Sequence, residues 1–193
     1  MKISSAPIGA LVAGLLVAAG AAAAQPLPGD LLVADGLSGA VLRIAPAGTL
    51  STFVTVPGVT AFAAGPMGTW IAGAGTALVL VSPTGGLSTV RSGSPILEVT
   101  AVVAERSGTV AVLDGRTRTL YRYIPGGALN TLFSGPPLQA PNALAIDRNG
   151  DFLVSDGPAN AIFRITAAGG AYLVSNRPEL RGPTGVSLDN AGG

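Results

Sequence analysis

The carboxylates and arginines of this chain recur in step, and its 193 residues include no histidine and no cysteine. Asp35, Asp114 and Asp156 are each followed eight residues later by an arginine, at Arg43, Arg122 and Arg164. That spacing predicts a recurring ion pair. In the competing reading, Asp-Gly serves a turn and Arg lines a strand edge. Without histidine or cysteine, Ser-His-Asp and Cys-His catalysis are excluded, as are zinc sites built on those ligands. A metal would need oxygen ligands, which suits calcium or magnesium. Asp147 and Glu105 could be taken for a paired acid and base, but each is expected at its own turn, in units that hold the two apart. The densest charge cluster is Arg177, Glu179 and Arg181, placed in a long connection where binding groups concentrate, and it is the expected partner contact. Trp70 and Tyr121 fall inside predicted strands and read as packing residues before they read as a ligand surface.

The elements that would position these groups repeat with a fixed period. Val112-Leu113-Asp114-Gly115 returns as Val154-Ser155-Asp156-Gly157, a shift of 42 residues. Ala101 to Glu105 returns as Ala143 to Asp147 and again as Gly185 to Asp189. A period of this length marks a stacked array or a propeller. The unit reads as four short strands: Ala143–Asp147, Asp151–Asp156, Ala161–Thr166 and Ala171–Ser175. Asp147-Arg148-Asn149-Gly150, Gly157-Pro158-Ala159-Asn160 and Ala167-Ala168-Gly169-Gly170 are the turns between them. Leu31–Ala34, Thr69–Ala72 and Thr109–Leu113 match the second strand; Val41–Ala45, Ala77–Val81 and Thr119–Ile124 match the third. In the second unit Ala72 stands for the aspartate and Leu80 for the arginine, so the expected pair is lost as a pair. Strands such as Leu78-Val79-Leu80-Val81 are apolar throughout, which suits sheets covered on both faces. The fold class is therefore all-β, a propeller of four-stranded antiparallel blades with about four blades present. A parallel β-helix is the structural competitor.

Residues 1–24 read as a secretory signal peptide. Lys2 precedes an apolar run from Ile8 to Ala24, and Ala22-Ala23-Ala24 ahead of Gln25-Pro26 fits cleavage after Ala24. The remainder, residues 25–193, would be an exported propeller domain, periplasmic or extracellular, with no stable membrane span once the signal is removed. A formal net charge of +1 offers no electrostatic case for nucleic acid.

Pro141-Asn142-Ala143-Leu144-Ala145-Ile146-Asp147, then Asn149 to Asp156 and Asn160 to Ile165 with Gly169, resemble the repeats of the NHL propellers and of the related gluconolactonase and senescence-marker-like group. The resemblance covers nearly all of residues 25–193 and implies a blade rather than a chemistry. Propellers of this group usually have six blades, which implies that this chain is C-terminally incomplete. In the other reading, Gly185–Asp189 pairs with the N-terminal blade and closes a four-bladed ring. The group's lactonases hold a divalent cation near the starts of inner strands. That implies Asn142 and Glu98 as metal ligands, although the equivalent positions Thr60, Thr100 and Thr184 supply weak donors. Asn142 also reads as a turn residue, and Glu98 as a solvated loop charge. Two functions follow. One is a noncatalytic scaffold with no cofactor, binding a protein, glycan or small molecule through loops at one end of the ring. The alternative is a calcium- or magnesium-dependent lactonase or hydrolase with part of its site outside this chain.

Overall fold

Short apolar runs bounded by turn glycines give fifteen strands in a computed structural model that describes residues 25–189. The signal peptide expected at 1–24 lies outside those residues. The first sheet holds β1 (Leu31–Asp35), β2 (Ala40–Ile44) and β3 (Leu50–Thr55). The second holds β4 (Val59–Ala64), β5 (Trp70–Ala74), β6 (Ala77–Val81) and β7 (Leu87–Arg91). The third is β8 (Val99–Ala104), β9 (Val110–Asp114), β10 (Thr119–Tyr123) and β11 (Leu129–Ser134). The fourth is β12 (Pro141–Ile146), β13 (Phe152–Asp156), β14 (Ala161–Ile165) and β15 (Ala171–Ser175). Every sheet is an antiparallel meander whose neighbours in space are neighbours in sequence, and this rules out the parallel β-helix. Among the described residues no helix is long and apolar enough to cross a membrane.

The blades meet face to face, and the core lies at the junctions. Val41, Phe53 and Val56 of the first blade pack on Val59, Ala72, Val79 and Val81 of the second. Ile71 and Leu78 of the second meet Val99, Val110, Val112, Tyr121 and Tyr123 of the third. Ala111, Leu113 and Leu120 of the third then meet Phe152, Val154, Phe163 and Ile165 of the fourth. Successive residues of β9 therefore serve opposite junctions, because side chains alternate across a strand. All five of its residues are buried, which explains the unbroken apolar runs. Neighbouring first strands also touch directly, β4 with β8 and β8 with β12.

Two expectations about elements are corrected. Gly185–Asp189 matches a first strand in pattern, yet it takes no strand conformation, and β1 pairs with β2 alone, so no ring closes through that segment among the described residues. The residue standing for the repeated aspartate in the second blade is Ala74, not Ala72. Ala74 faces Ala77 across its hairpin as Asp114 faces Thr119 and Asp156 faces Ala161. The second blade makes that turn with two residues, Gly75 and Thr76, where the third uses four.

Candidate functional site at the ends of the inner strands

Each first strand begins with a bulge. The ladder skips Thr60 between Val59 and Ala61, Thr100 between Val99 and Ala101, and Asn142 between Pro141 and Ala143. A bulge leaves one residue without a ladder partner and re-aims its side chain. Here the side chain ties the bulge down. The Thr100 hydroxyl donates to Leu113 O at 3.2 Å, and Thr60 donates to Val99 O of the next blade. The Asn142 Oδ1 accepts from Gly157 N–H at 3.1 Å. Glu98 is exposed just before β8, and its backbone carbonyl accepts from Gly115 N–H. The side chains of Thr60, Thr100 and Asn142 are thus drawn into backbone contacts, and among the described residues no three acidic, histidine or cysteine side chains gather as a metal-holding group.

The repeated aspartates stand at the same end, and they do not meet the arginines. Asp156 is fully buried and accepts from Gln139 N–H (2.6 Å), Ala140 N–H (3.2 Å) and Ala159 N–H (3.2 Å). Asp114, equally buried, accepts from Leu97 N–H (2.7 Å) and Thr117 N–H (2.9 Å). Each carboxylate caps its own turn and also fastens the segment entering its own blade. Asp35 takes Leu37 N–H at 3.0 Å and the Ser38 hydroxyl at 2.6 Å, and these donors, the hydroxyl foremost, hold its carboxyl below the usual range. The glycine after each aspartate answers a close approach by the chain that follows. A Cβ on Gly115 would lie 3.1 Å from Pro141 O, and one on Gly36 would lie 3.1 Å from Val59 O.

The arginines act at the other end, where first strands finish. Arg43 pairs with Asp30 at 2.5 Å, Arg122 with Glu105 at 2.6 Å, and Arg164 with Asp147 at 3.3 Å and Asp151 at 3.5 Å. Parity explains the correction. Asp156 faces Ala161 across the hairpin, and cross-strand partners share a face. Three residues further on, Arg164 points to the opposite face. The coupled loss in the second blade still holds, with different partners. Beside Leu80, the positions matching Asp147 and Asp151 are Gly65 and Thr69. Asp30 is almost wholly buried; its carboxyl is held below the ordinary range, first by the Leu27 N–H and then by Arg43, against the opposing pull of burial. The Arg122 guanidinium also lies 5.7 Å from the centre of the Phe152 ring in the next blade.

At this end Glu105 and Asp147, expected to stand apart, line one depression of about 550 Å3 together with Arg106, Arg148, Ile146 and Asp189. Arg122 and Arg164 hold the two acids in place, and the almost wholly buried Asp147 carboxylate also accepts from Asn149 N–H (2.8 Å) and Asp151 N–H (3.0 Å). Each acid stands at its own turn, as expected, and their equivalence in the repeat is the sequence signal that puts them at the same end of adjacent blades. Arg177, Glu179 and Arg181 are exposed beyond β15, around a turn closed by Leu180 N–H to Arg177 O, and they do not join this depression. Tyr121 is buried packing, as expected. Trp70 packs on Phe53 edge to face at 5.1 Å and also lines a cavity.

No protein-family model and no curated protein matches the sequence. Solved structures match the fold. A streptogramin B lyase superposes with a TM-score of 0.73 at 14% identity, over 87% of this chain and 58% of that one. A gluconolactonase from Xanthomonas campestris gives 0.73 at 16%, over 84% and 64%. A chain of the nidogen–laminin complex gives 0.73 at 12%, over 87% and 67%. This chain spans about six tenths of the length of the first of these structures. At such identities the likeness is one of fold: a run of antiparallel β-propeller blades.

Proposed function

We propose that this chain is an exported, noncatalytic β-propeller that binds a polar ligand, a glycan or a small molecule, in the depression where its inner strands end. The observation that carries this reading is the contrast between the two ends. At the starting end Thr60, Thr100 and Asn142 are spent on holding bulges. At the finishing end Glu105 and Asp147 are fixed by Arg122 and Arg164 around an open basin. The Glu105 carboxylate, held by Arg122 through Oε1, keeps Oε2 to accept a ligand hydroxyl in a set geometry at little ordering cost, with Arg106 and Arg148 lining the same basin. Loops on a rigid scaffold are the usual place for such contacts. Export rests on Lys2, the apolar run and Ala22-Ala23-Ala24.

The test pairs two titrations on the secreted protein. Saturation-transfer spectra with a panel of neutral mono- and oligosaccharides are expected to show binding that Arg106→Ala with Arg148→Ala weakens. Calcium up to millimolar levels is expected to give no saturable heat and no hydrolysis of glucono-1,5-lactone above background. Calcium binding accompanied by lactone hydrolysis would replace this reading with the metal-dependent lactonase, the activity named for the Xanthomonas neighbour.

A further inference from the structure

Two complementary parts of a blade stand at opposite ends of the array. The first sheet is β1-β2-β3, and each of the other three adds a first strand beside the strand that matches β1. Among the described residues β1 pairs with β2 alone, so its other edge keeps N–H and C=O groups outside any ladder. Beyond the fourth blade, residues 183–189 carry a first strand's pattern without strand conformation. They nevertheless lie where that strand belongs. Gly182 N–H donates to Asn160 Oδ1 at 2.8 Å. A Cβ on Gly157 would stand 3.5 Å from Pro183 O, much as one on Gly115 would stand 3.1 Å from Pro141 O. Leu188 and Asp189 line the basin beside Ile146 and Asp147.

The two parts match residue by residue. A first strand sits on its neighbour with Val99 opposite Asp114, Ala101 opposite Leu113 and Val102 opposite Val112. Carried along the repeat, that register sets Pro183 opposite Asp35, Gly185 opposite Ala34, Val186 opposite Val33 and Leu188 opposite Leu31. The faces agree too. Leu32 and Ala34 pack toward the second blade, so Leu31 and Val33 point the other way, 63% and 43% exposed. On the fourth blade Leu153 and Ile162 are half-buried, whereas their equivalents Ala111 and Leu120 are fully buried against a following blade. Asp35 is an independent sign. Asp114 and Asp156 each fasten the segment entering their blade, through Leu97 N–H and Gln139 N–H. Asp35 is half-buried and takes its donors from its own turn, Leu37 and Ser38; the residue matching Leu97 and Gln139 is Arg181.

We propose that the open edge of β1 is a docking site for a second copy of this chain, which lays its residues 183–189 along it as the fourth strand of that blade. Copies then join head to tail, with the first blade of one stacked on the fourth blade of the other. Main-chain hydrogen bonds supply the affinity, and the Val186–Val33 and Leu188–Leu31 pairs fix the register. Each copy gives one strand and accepts one, so the contact closes into a ring or extends as a chain of copies. It needs strand pairing alone and holds whether or not the basin binds a polar ligand.

Sedimentation velocity of the purified protein from about 1 µM to about 100 µM is expected to show monomers giving way to dimers and longer species. Val186→Pro with Ser187→Pro removes two ladder N–H groups from a segment that has no strand conformation, so the fold stays intact while association weakens at least about tenfold. Val33→Lys, on the accepting edge, should do the same. The chain has no cysteine, which permits a direct check of register. Val33→Cys and Val186→Cys proteins, mixed and oxidised in air, should form the mixed disulfide in preference to either homodimer, since opposed Cβ atoms stand about 4.5–5.5 Å apart. A monomer at every concentration would overturn the proposal, and so would association unchanged in the proline variant. A disulfide closing within one chain of the Val33→Cys, Val186→Cys double variant would also overturn it, in favour of the copy's own segment as occupant.

Discussion

Asp156→Ala is the substitution that best separates the observed hydrogen bonds from the ion pair suggested by the eight-residue spacing. The carboxylate is fully buried and accepts three N–H groups, two of them in the connection that leads into β12. Hydrogen bonds to a charged acceptor contribute about 1.5–3 kcal/mol each, and an orphaned buried donor costs about 1–3 kcal/mol. Gln139 is exposed, so water can recover part of its loss. The expected destabilisation is therefore about 3–5 kcal/mol, with Asp156→Asn at roughly half of that because one acceptor oxygen remains. Arg164 contributes nothing to this network. It lies three rungs along the ladder, roughly 10 Å, on the opposite face. Urea unfolding of Asp156→Ala, Arg164→Ala and the double variant should show additivity within about 0.5 kcal/mol. A coupling energy above about 1 kcal/mol, or an Asp156→Ala cost below that figure, would refute the reasoning.

Three further outcomes follow from the same geometry. Arg122→Leu should cost about 1–3 kcal/mol by stranding Glu105, and adding Glu105→Gln should recover part of the loss in thermal melts. Gly115→Ala should cost about 1–3 kcal/mol, because the new methyl would stand 2.5 Å from the Thr100 Cγ2; Thr100→Ser should relieve some of that strain. Asp30 and Asp35 have folded pKa values below their unfolded ones, so their contribution is complete above about pH 4 and fades as pH falls from there. Hydrogen exchange between pH 5 and pH 2 should show β1 and β2 loosening on acidification, and Asp30→Asn should flatten that dependence.

The repeat was legible because each blade solves one local problem in one way. Apolar runs of five residues lie between turns that need Gly, Asn or Asp, and Ala77–Val81 and Ala171–Ser175 took the expected bounds. What the sequence hid depended on pairing. Spacing along the chain put Arg164 near Asp156, yet register and alternation put it beside Asp147 and Asp151, 17 and 13 residues earlier. The bulges were equally invisible. Thr60, Thr100 and Asn142 looked like one column of donors, and only the ladder shows that each is the residue left over when a strand takes an extra step. Gly185–Asp189 carries the first-strand pattern without strand conformation, since a strand requires a neighbouring ladder as well as a pattern.

The alternation along β9 has a mechanical consequence. Val110 and Val112 belong to the joint with the blade before, while Ala111 and Leu113 belong to the joint with the blade after. Neighbouring positions on one short segment thus address two different hinges. Loads applied to the array need not spread evenly, since linear arrays of this kind come apart joint by joint in proportion to local interface strength. Trimming Val112 should loosen the hinge between the second and third blades, whereas trimming Leu113 should loosen the one that Arg122 spans. Two adjacent residues can therefore serve as independent controls on the two junctions that flank the third blade.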